Sequence, residues 1–185
     1  MERDVFQPND EMFATAYAEL RRHARVLTRR QRDTPTLDPT ALVHEAYLRL
    51  AANRRFQAES PQHLTYTVVR AMRYVLIDAA RRRTAAVRGG VMRRIPLDDS
   101  AAQVASFDPA DLLSMNMALR ALDEAHAPEA RAFELQFFGG LAVAEIAATM
   151  ALSEKKVQRL LRLARAFLSR TLAAADRVPG KARES

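Results

Sequence analysis

The sequence predicts an all-α protein built as two small helical domains joined by a flexible acidic linker. Three observations carry that prediction. Apolar residues recur at helical spacing through most of the 185 residues. Ala, Leu and Arg are abundant while glycine is scarce, at five, and aromatics make up 6% of the chain, a composition that favours helix over sheet. Between about residues 90 and 108 the periodicity lapses and the charge changes sign, which places a boundary there. The domains are therefore expected at residues 10–88 and 109–175, with the linker over 89–108.

The formal net charge of +7 comes almost wholly from arginine, because Lys155, Lys156 and Lys181 are the only lysines. Arginine forks onto phosphate bidentately, so the balance suits a polyanionic partner. Absence of cysteine excludes a disulfide scaffold and a thiolate site. The four histidines, His23, His44, His63 and His126, have no paired-ligand spacing, so neither a metal nor another cofactor is expected. Nothing resembles a Gly-rich phosphate loop, a Ser/His/Asp set or a carboxylate pair in a pocket, so the chain reads as a non-enzyme without a small-molecule substrate. No signal-peptide pattern or membrane-length apolar run is present, and the expectation is a cytoplasmic protein that makes no use of a membrane.

The first helix is capped by Asp10, with Phe13, Ala16, Tyr17, Leu20, Ala24 and Leu27 inward and Arg21, Arg22, Arg25 and Arg29 outward. After a break at RDTPTLDPT, Asp38 stands at an N-cap with Pro39 in the first helical position. Val43, Ala46, Tyr47 and Leu50 form the inner stripe of this second helix, while Ala41, His44, Glu45 and Leu48 share the outer side and leave a large apolar residue beside an acid. A third helix over about 62–83 buries Leu64, Val68, Ala71, Met72, Val75 and Ala79 and exposes Tyr66, Arg70, Arg73, Tyr74 and Arg81. Cations beside flat rings suit an opened DNA strand, although tyrosines flanking a core with wet hydroxyls give the same pattern. The helix gives way to the basic segment RRRTAAVRGGVMRR and then to the acidic linker.

Beyond the linker, Asp108 and Pro109 open a helix to about Ala125, and a shorter one over Glu129–Phe138 ends at Gly139-Gly140. The segment from about Ala142 to Leu168 has the pattern of a helix-turn-helix: small Ala147 where the helices touch, and Ile146, Met150, Leu152, Val157 and Leu160 at the core offsets. Ser153 caps its second helix, which turns Lys155, Lys156, Gln158, Arg159, Arg162 and Arg165 outward for base edges and phosphates. Ala151 stands where the left-handed turn usually has glycine, at a cost of roughly 1 kcal/mol if that geometry is kept. A basic amphipathic hairpin satisfies the same periodicity. The tail from Arg177 is polar and expected to be loose.

FELQFFGGLAVAEIAATMALSEKKVQRLLRLARAFL closely resembles region 4 of the extracytoplasmic-function (ECF) sigma factors of the sigma-70 family, TLDPTALVHEAYLRL resembles their region 2.2, and HLTYTVVRAMRYVLIDAARRRTAAVRGG resembles regions 2.3 and 2.4. The resemblance spans about Glu11 to Leu172. It implies a transcription initiation factor whose partners are core RNA polymerase and promoter DNA. Ala41, His44, Glu45 and Leu48 would dock on the polymerase clamp helices, which gives exposed Leu48 a use. Arg70, Arg73, Tyr74 and Arg81 would face the opened −10 strand, the loop Asn53 to Pro61 would hold a flipped base, and the recognition helix with Ser153, Lys155, Lys156, Gln158, Arg159 and Arg162 would read the −35 element. The acidic linker would follow the RNA exit path. Asp78 holds the family's acidic position and is also placed to pair with Arg81 or Arg82 along its own helix.

One departure concerns regulation. Many members begin region 2.2 with an acidic run, whereas this chain reads Asp38-Pro39-Thr40-Ala41. Phosphorylation of Thr40 by a Ser/Thr kinase would restore charge at a helix N-terminus; the alternative is docking without those acids, and control by an anti-sigma factor is a further expectation. Two rival functions stand beside initiation: a repressor or activator acting on duplex DNA without polymerase, and a helical adaptor for an acidic protein.

Overall fold

The computed structural model describes residues 38–52, 60–86 and 109–176, together with the helical residues Tyr17, Arg21, Ala24 and Arg25. Among these residues there are six further-defined helices and no strand: α1 (Pro39–Ala52), α2 (Pro61–Ala86), α3 (Pro109–Ala125), α4 (Ala127–Phe137), α5 (Val143–Met150) and α6 (Glu154–Asp176). The all-α expectation is met. Most of the first helix, the loop 53–59, the basic segment from residue 87, the linker up to residue 108 and the tail from Arg177 lie outside the described residues.

Helix starts follow local chemistry. Asp38 Oδ2 accepts from the backbone N–H groups of Thr40 and Ala41 at 3.1 and 3.3 Å, so two of the orphan donors of α1 are satisfied by the expected cap. Ser60 caps α2 with a single bond, its Oγ accepting from His63 N at 3.1 Å, and Pro61 follows in the first helical position. The Ser-Pro pair explains why α2 begins one residue before the expected Gln62 and, with no breaker before residue 86, runs three residues past Arg83. Ser153 Oγ accepts from Lys156 N at 3.3 Å at the start of α6. Of the first helix, Tyr17 is half-buried and Ala24 buried, with Arg21 and Arg25 exposed, as its periodicity predicts.

The inner stripes of α1 and α2 pack together through Leu42, Val43 and Ala46 against Leu64, Val68 and Met72. Phe133, Leu135, Phe138, Ile146, Val157, Leu160, Leu161 and Ala164 fill the space enclosed by α3–α6. Between them there is no seam. Val69, Leu76 and Ile77 of α2 are buried along with Leu112, Met115 and Leu119 of α3, and one apolar cluster runs through both halves. Gly139 marks how closely they approach, since a Cβ there would lie 3.0 Å from Val69 Cγ2 of α2.

Candidate nucleic-acid interface

The helix-turn-helix has the turn its sequence anticipates. Ala151 adopts φ 53° and ψ 45°, the left-handed region that L-residues other than Gly and Asn seldom enter. Its N–H bonds the Ala148 carbonyl at 3.4 Å, and the Leu152 N–H bonds the Ala147 carbonyl at 2.9 Å, the paired bonds of a Schellman cap. At the other end of α5, Ala142 offers no side-chain acceptor, and Glu145 Oε2 instead accepts from the Ala142 N–H at 2.6 Å. Ala147, Ile146, Val157 and Leu160 are buried and Met150 and Leu152 half-buried, so the core offsets are filled as expected.

That packing fixes the outer face of α6. Ser153, Lys155, Lys156, Gln158, Arg159 and Arg162 are all exposed. Arg165 lies partly buried, and its Nη2 donates to Gln136 Oε1 at 2.8 Å, which ties it to α4. The described surface of α6 therefore offers long cationic side chains over its first three turns, the reach that groove edges and phosphates require.

On α1, Ala41, His44, Glu45 and Leu48 are exposed together, and Leu48 keeps 47% of its surface in solvent. Thr40, half-buried in the first turn, accepts a hydrogen bond on Oγ1 from Arg21 Nε at 3.1 Å. Asp78 pairs with Arg49 of α1 at 2.6 Å and more distantly with Arg81 at 3.6 Å; the helix-internal partner was visible in the i,i+3 spacing, the closer one was not.

The basic and aromatic face of α2 differs from its expected exposure. Tyr74 and Arg81 are open to solvent, but Tyr66 and Arg70 are half-covered and Arg73 is buried. Arg73 Nη1 donates to Glu134 Oε1 at 3.0 Å, with only 3% and 4% of the two side chains exposed. Arg73 Nε donates to Asn116 Oδ1, also at 3.0 Å. Arg70 faces Asp123 at 3.9 Å, and the Arg131 guanidinium lies 4.2 Å over the Tyr66 ring. Burial raises the Glu134 carboxyl above the usual range, while the Arg73 charge works in the opposite direction. A cleft of about 410 Å³ remains open beside this contact, between Arg70, Tyr74 and Arg81 on α2 and Arg120 and Asp123 on α3.

Asn116, Asp123, Arg131 and Glu134 were not singled out by periodicity. A signal existed: Glu134 sits in phase with Ala130 and Phe137, and Arg73 in phase with Val69 and Ile77, all of them buried. Opposite charges at core-phase positions of two helices are costly unless they meet.

Among the described residues no helix is long and apolar enough to cross a membrane, and no group of three or more His, Cys, Asp or Glu is arranged to hold a metal ion. Neither the curated proteins nor the solved structures give a match to the chain. The model of the ECF sigma factor family matches residues 7–174. A match over that much of the chain, together with a well-formed helix-turn-helix, assigns it: the protein belongs to the ECF sigma factors, the promoter-recognition factors of RNA polymerase.

Proposed function

We propose that this chain binds core RNA polymerase, directs it to a two-element promoter and takes part in opening the DNA. The observation that supports this most is the family match over residues 7–174. In this reading residues 10–88 form the module for the polymerase and the −10 element, and residues 109–175 the module for the −35 element, with 89–108 between them. Ala41, His44, Glu45 and Leu48 give the clamp helices an apolar knob beside an acid. Of Arg70, Arg73, Tyr74 and Arg81, the accessible Arg70 and Arg81 serve the phosphates of the opened −10 strand and the Tyr74 ring an unstacked base, whereas Arg73 would have to leave Glu134 to join them. Ser153, Lys155, Lys156, Gln158, Arg159 and Arg162 serve the −35 duplex.

Control by an anti-sigma factor or by phosphorylation of Thr40 belongs to the same reading, the Arg21 contact giving a phosphate at that position a cationic neighbour. The test is reconstitution: the purified protein is added to core polymerase with a promoter library. Sequence-specific initiation is expected, and DNA binding that does not require polymerase, without initiation, would instead establish a repressor.

A further inference from the structure

We propose that the cleft between α2 and α3 is a binding site for a free nucleoside polyphosphate. The site is separate from the −10 reading of α2, because it needs Arg120, Asp123 and Glu124 of α3, to which that reading gives no part.

The cleft holds about 410 Å³, within the range of sites that take small organic ligands. Each wall is one stripe of a helix. Arg70, Arg73, Tyr74, Ile77 and Arg81 follow one another at helical spacing along α2, and Asn116, Arg120, Asp123 and Glu124 do so along α3. Four guanidinium groups therefore line it with two carboxylates. The four are not equivalent. Arg73 is held at 3.0 Å by both Asn116 and Glu134, so it braces the floor. Arg70 and Arg81 meet carboxylates at 3.9 and 3.6 Å, longer than a hydrogen bond, and Arg120 is exposed. Three forks thus keep donors for an anion with several oxygens.

Charge along the cleft is polarised. The pairs Arg73–Asn116 and Arg70–Asp123 set α3 antiparallel to α2, so Asp123 and Glu124 stand at the Arg70 end. Arg81 lies at the other end, about 16 Å from Arg70 along the α2 axis. Tyr74, 41% exposed, stands between them. The Arg73 guanidinium lies 5.4 Å from the centroid of its ring, and because Arg73 is itself fixed, the ring is a preset platform. A nucleotide matches this order. Its base stacks on Tyr74, base amino or ribose hydroxyl groups donate to Asp123 and Glu124, and its phosphates take the forks of Arg120 and Arg81. Buried Ile77 adds an apolar patch to the floor. A bare anion would use one end of the cleft and a nucleoside the other, whereas a nucleoside polyphosphate uses both.

Isothermal titration calorimetry on the full chain, without polymerase, DNA or divalent cation, compares ATP, GTP, inorganic pyrophosphate and adenosine. One ATP or GTP per chain is expected to bind, at least about tenfold more tightly than pyrophosphate or adenosine, and the tighter of the two nucleotides then serves for the variants. Arg120→Glu is expected to weaken that nucleotide and pyrophosphate alike by about tenfold or more. Tyr74→Ala is expected to weaken the nucleotide by about fivefold or more, the loss of one stacked base, and to leave pyrophosphate unchanged. Both side chains are exposed, so folding is not at risk. Arg170→Glu makes the same charge change at an exposed position of α6 outside the cleft and is expected to alter neither ligand.

No binding of ATP or GTP by wild type would overturn the site. An equal loss from Arg170→Glu and Arg120→Glu would also overturn it, leaving general charge attraction in its place. A nucleotide bound no more tightly than pyrophosphate and insensitive to Tyr74→Ala would overturn the nucleotide assignment. Nucleotide binding untouched by Arg120→Glu would place the ligand outside this cleft and overturn the proposal as well.

Discussion

At Ala151 a methyl group is held in a backbone conformation that suits glycine, with φ at 53°. The Schellman bonds to Ala147 and Ala148 and the burial of Val157 beyond the turn over-determine the geometry, so the strain persists without reshaping the motif. Ala151→Gly is expected to stabilise the protein by roughly 0.5–1 kcal/mol, the relief of left-handed strain less the added entropy of the unfolded chain. Urea denaturation measures it, and an unchanged or lower midpoint would show that the strain is no larger than the entropy glycine adds to the unfolded chain. Thr40 allows a second test at this scale. Its hydroxyl already accepts from Arg21, and its first-turn position favours added negative charge by about 0.3–1 kcal/mol. Thr40→Glu is expected to bind core polymerase several-fold more tightly than wild type, and Thr40→Ala no better than wild type. Equal binding by unphosphorylated wild type and the Glu form would remove the role given to phosphorylation.

Elements were the most legible level of the sequence, because a cap or an apolar stripe is decided by residues within four positions of one another. Asp38-Pro39, Ser153, the Ala151 turn and the stripe of Val43, Ala46, Tyr47 and Leu50 all follow from such neighbours, while buried Leu42 was not read. What could not be read was any contact set by the fold: Arg73 finds its partners 43 and 61 residues away, and Arg49 meets Asp78 across 29. Outward periodicity on α2 was therefore correct as helix geometry and incomplete as a statement of exposure, since a second layer covers the stripe. The same separation of local from remote applies to α6. If α6 is the −35 reader proposed above, residues near its N-terminus would meet base edges and later ones phosphate. Arg159→Ala is expected to cost about 1–3 kcal/mol at the preferred −35 sequence and to relax the preference there. Arg162→Ala is expected to weaken binding evenly across sequences and to reduce the salt slope by about 0.9. Titrations of holoenzyme against duplex probes at several salt concentrations separate the two. A sequence-dependent loss from Arg162→Ala with an unchanged slope would reverse the assignment.

For the whole molecule the telling feature is that one apolar cluster passes through both halves while a charged pair is sealed between them. Two domains that touch only through a linker melt independently, whereas a shared core makes each half part of the other's stability. Wild type is therefore expected to unfold in one calorimetric transition whose van't Hoff and calorimetric enthalpies agree. Glu134→Ala removes the only carboxylate at hydrogen-bond distance from Arg73 among the described residues, and a guanidinium left buried without its counter-charge costs about 3–5 kcal/mol. Parting the halves would return that charge to water, so the variant is expected to favour separation against the shared apolar contacts. The transition should then split, with the α1–α2 pair and the α3–α6 unit melting separately. Gly139→Ala perturbs the boundary without altering any charge, because its methyl group would meet the Leu135 carbonyl and Leu141 Cδ1 within the second half and also press on Val69 of α2. If both variants split the transition, the halves are held by their joint interface. If only Glu134→Ala does, the ion pair alone holds it; a single unshifted transition in both would mean that neither contact holds the halves together, and two transitions already in wild type would mean that the halves stand independently in solution.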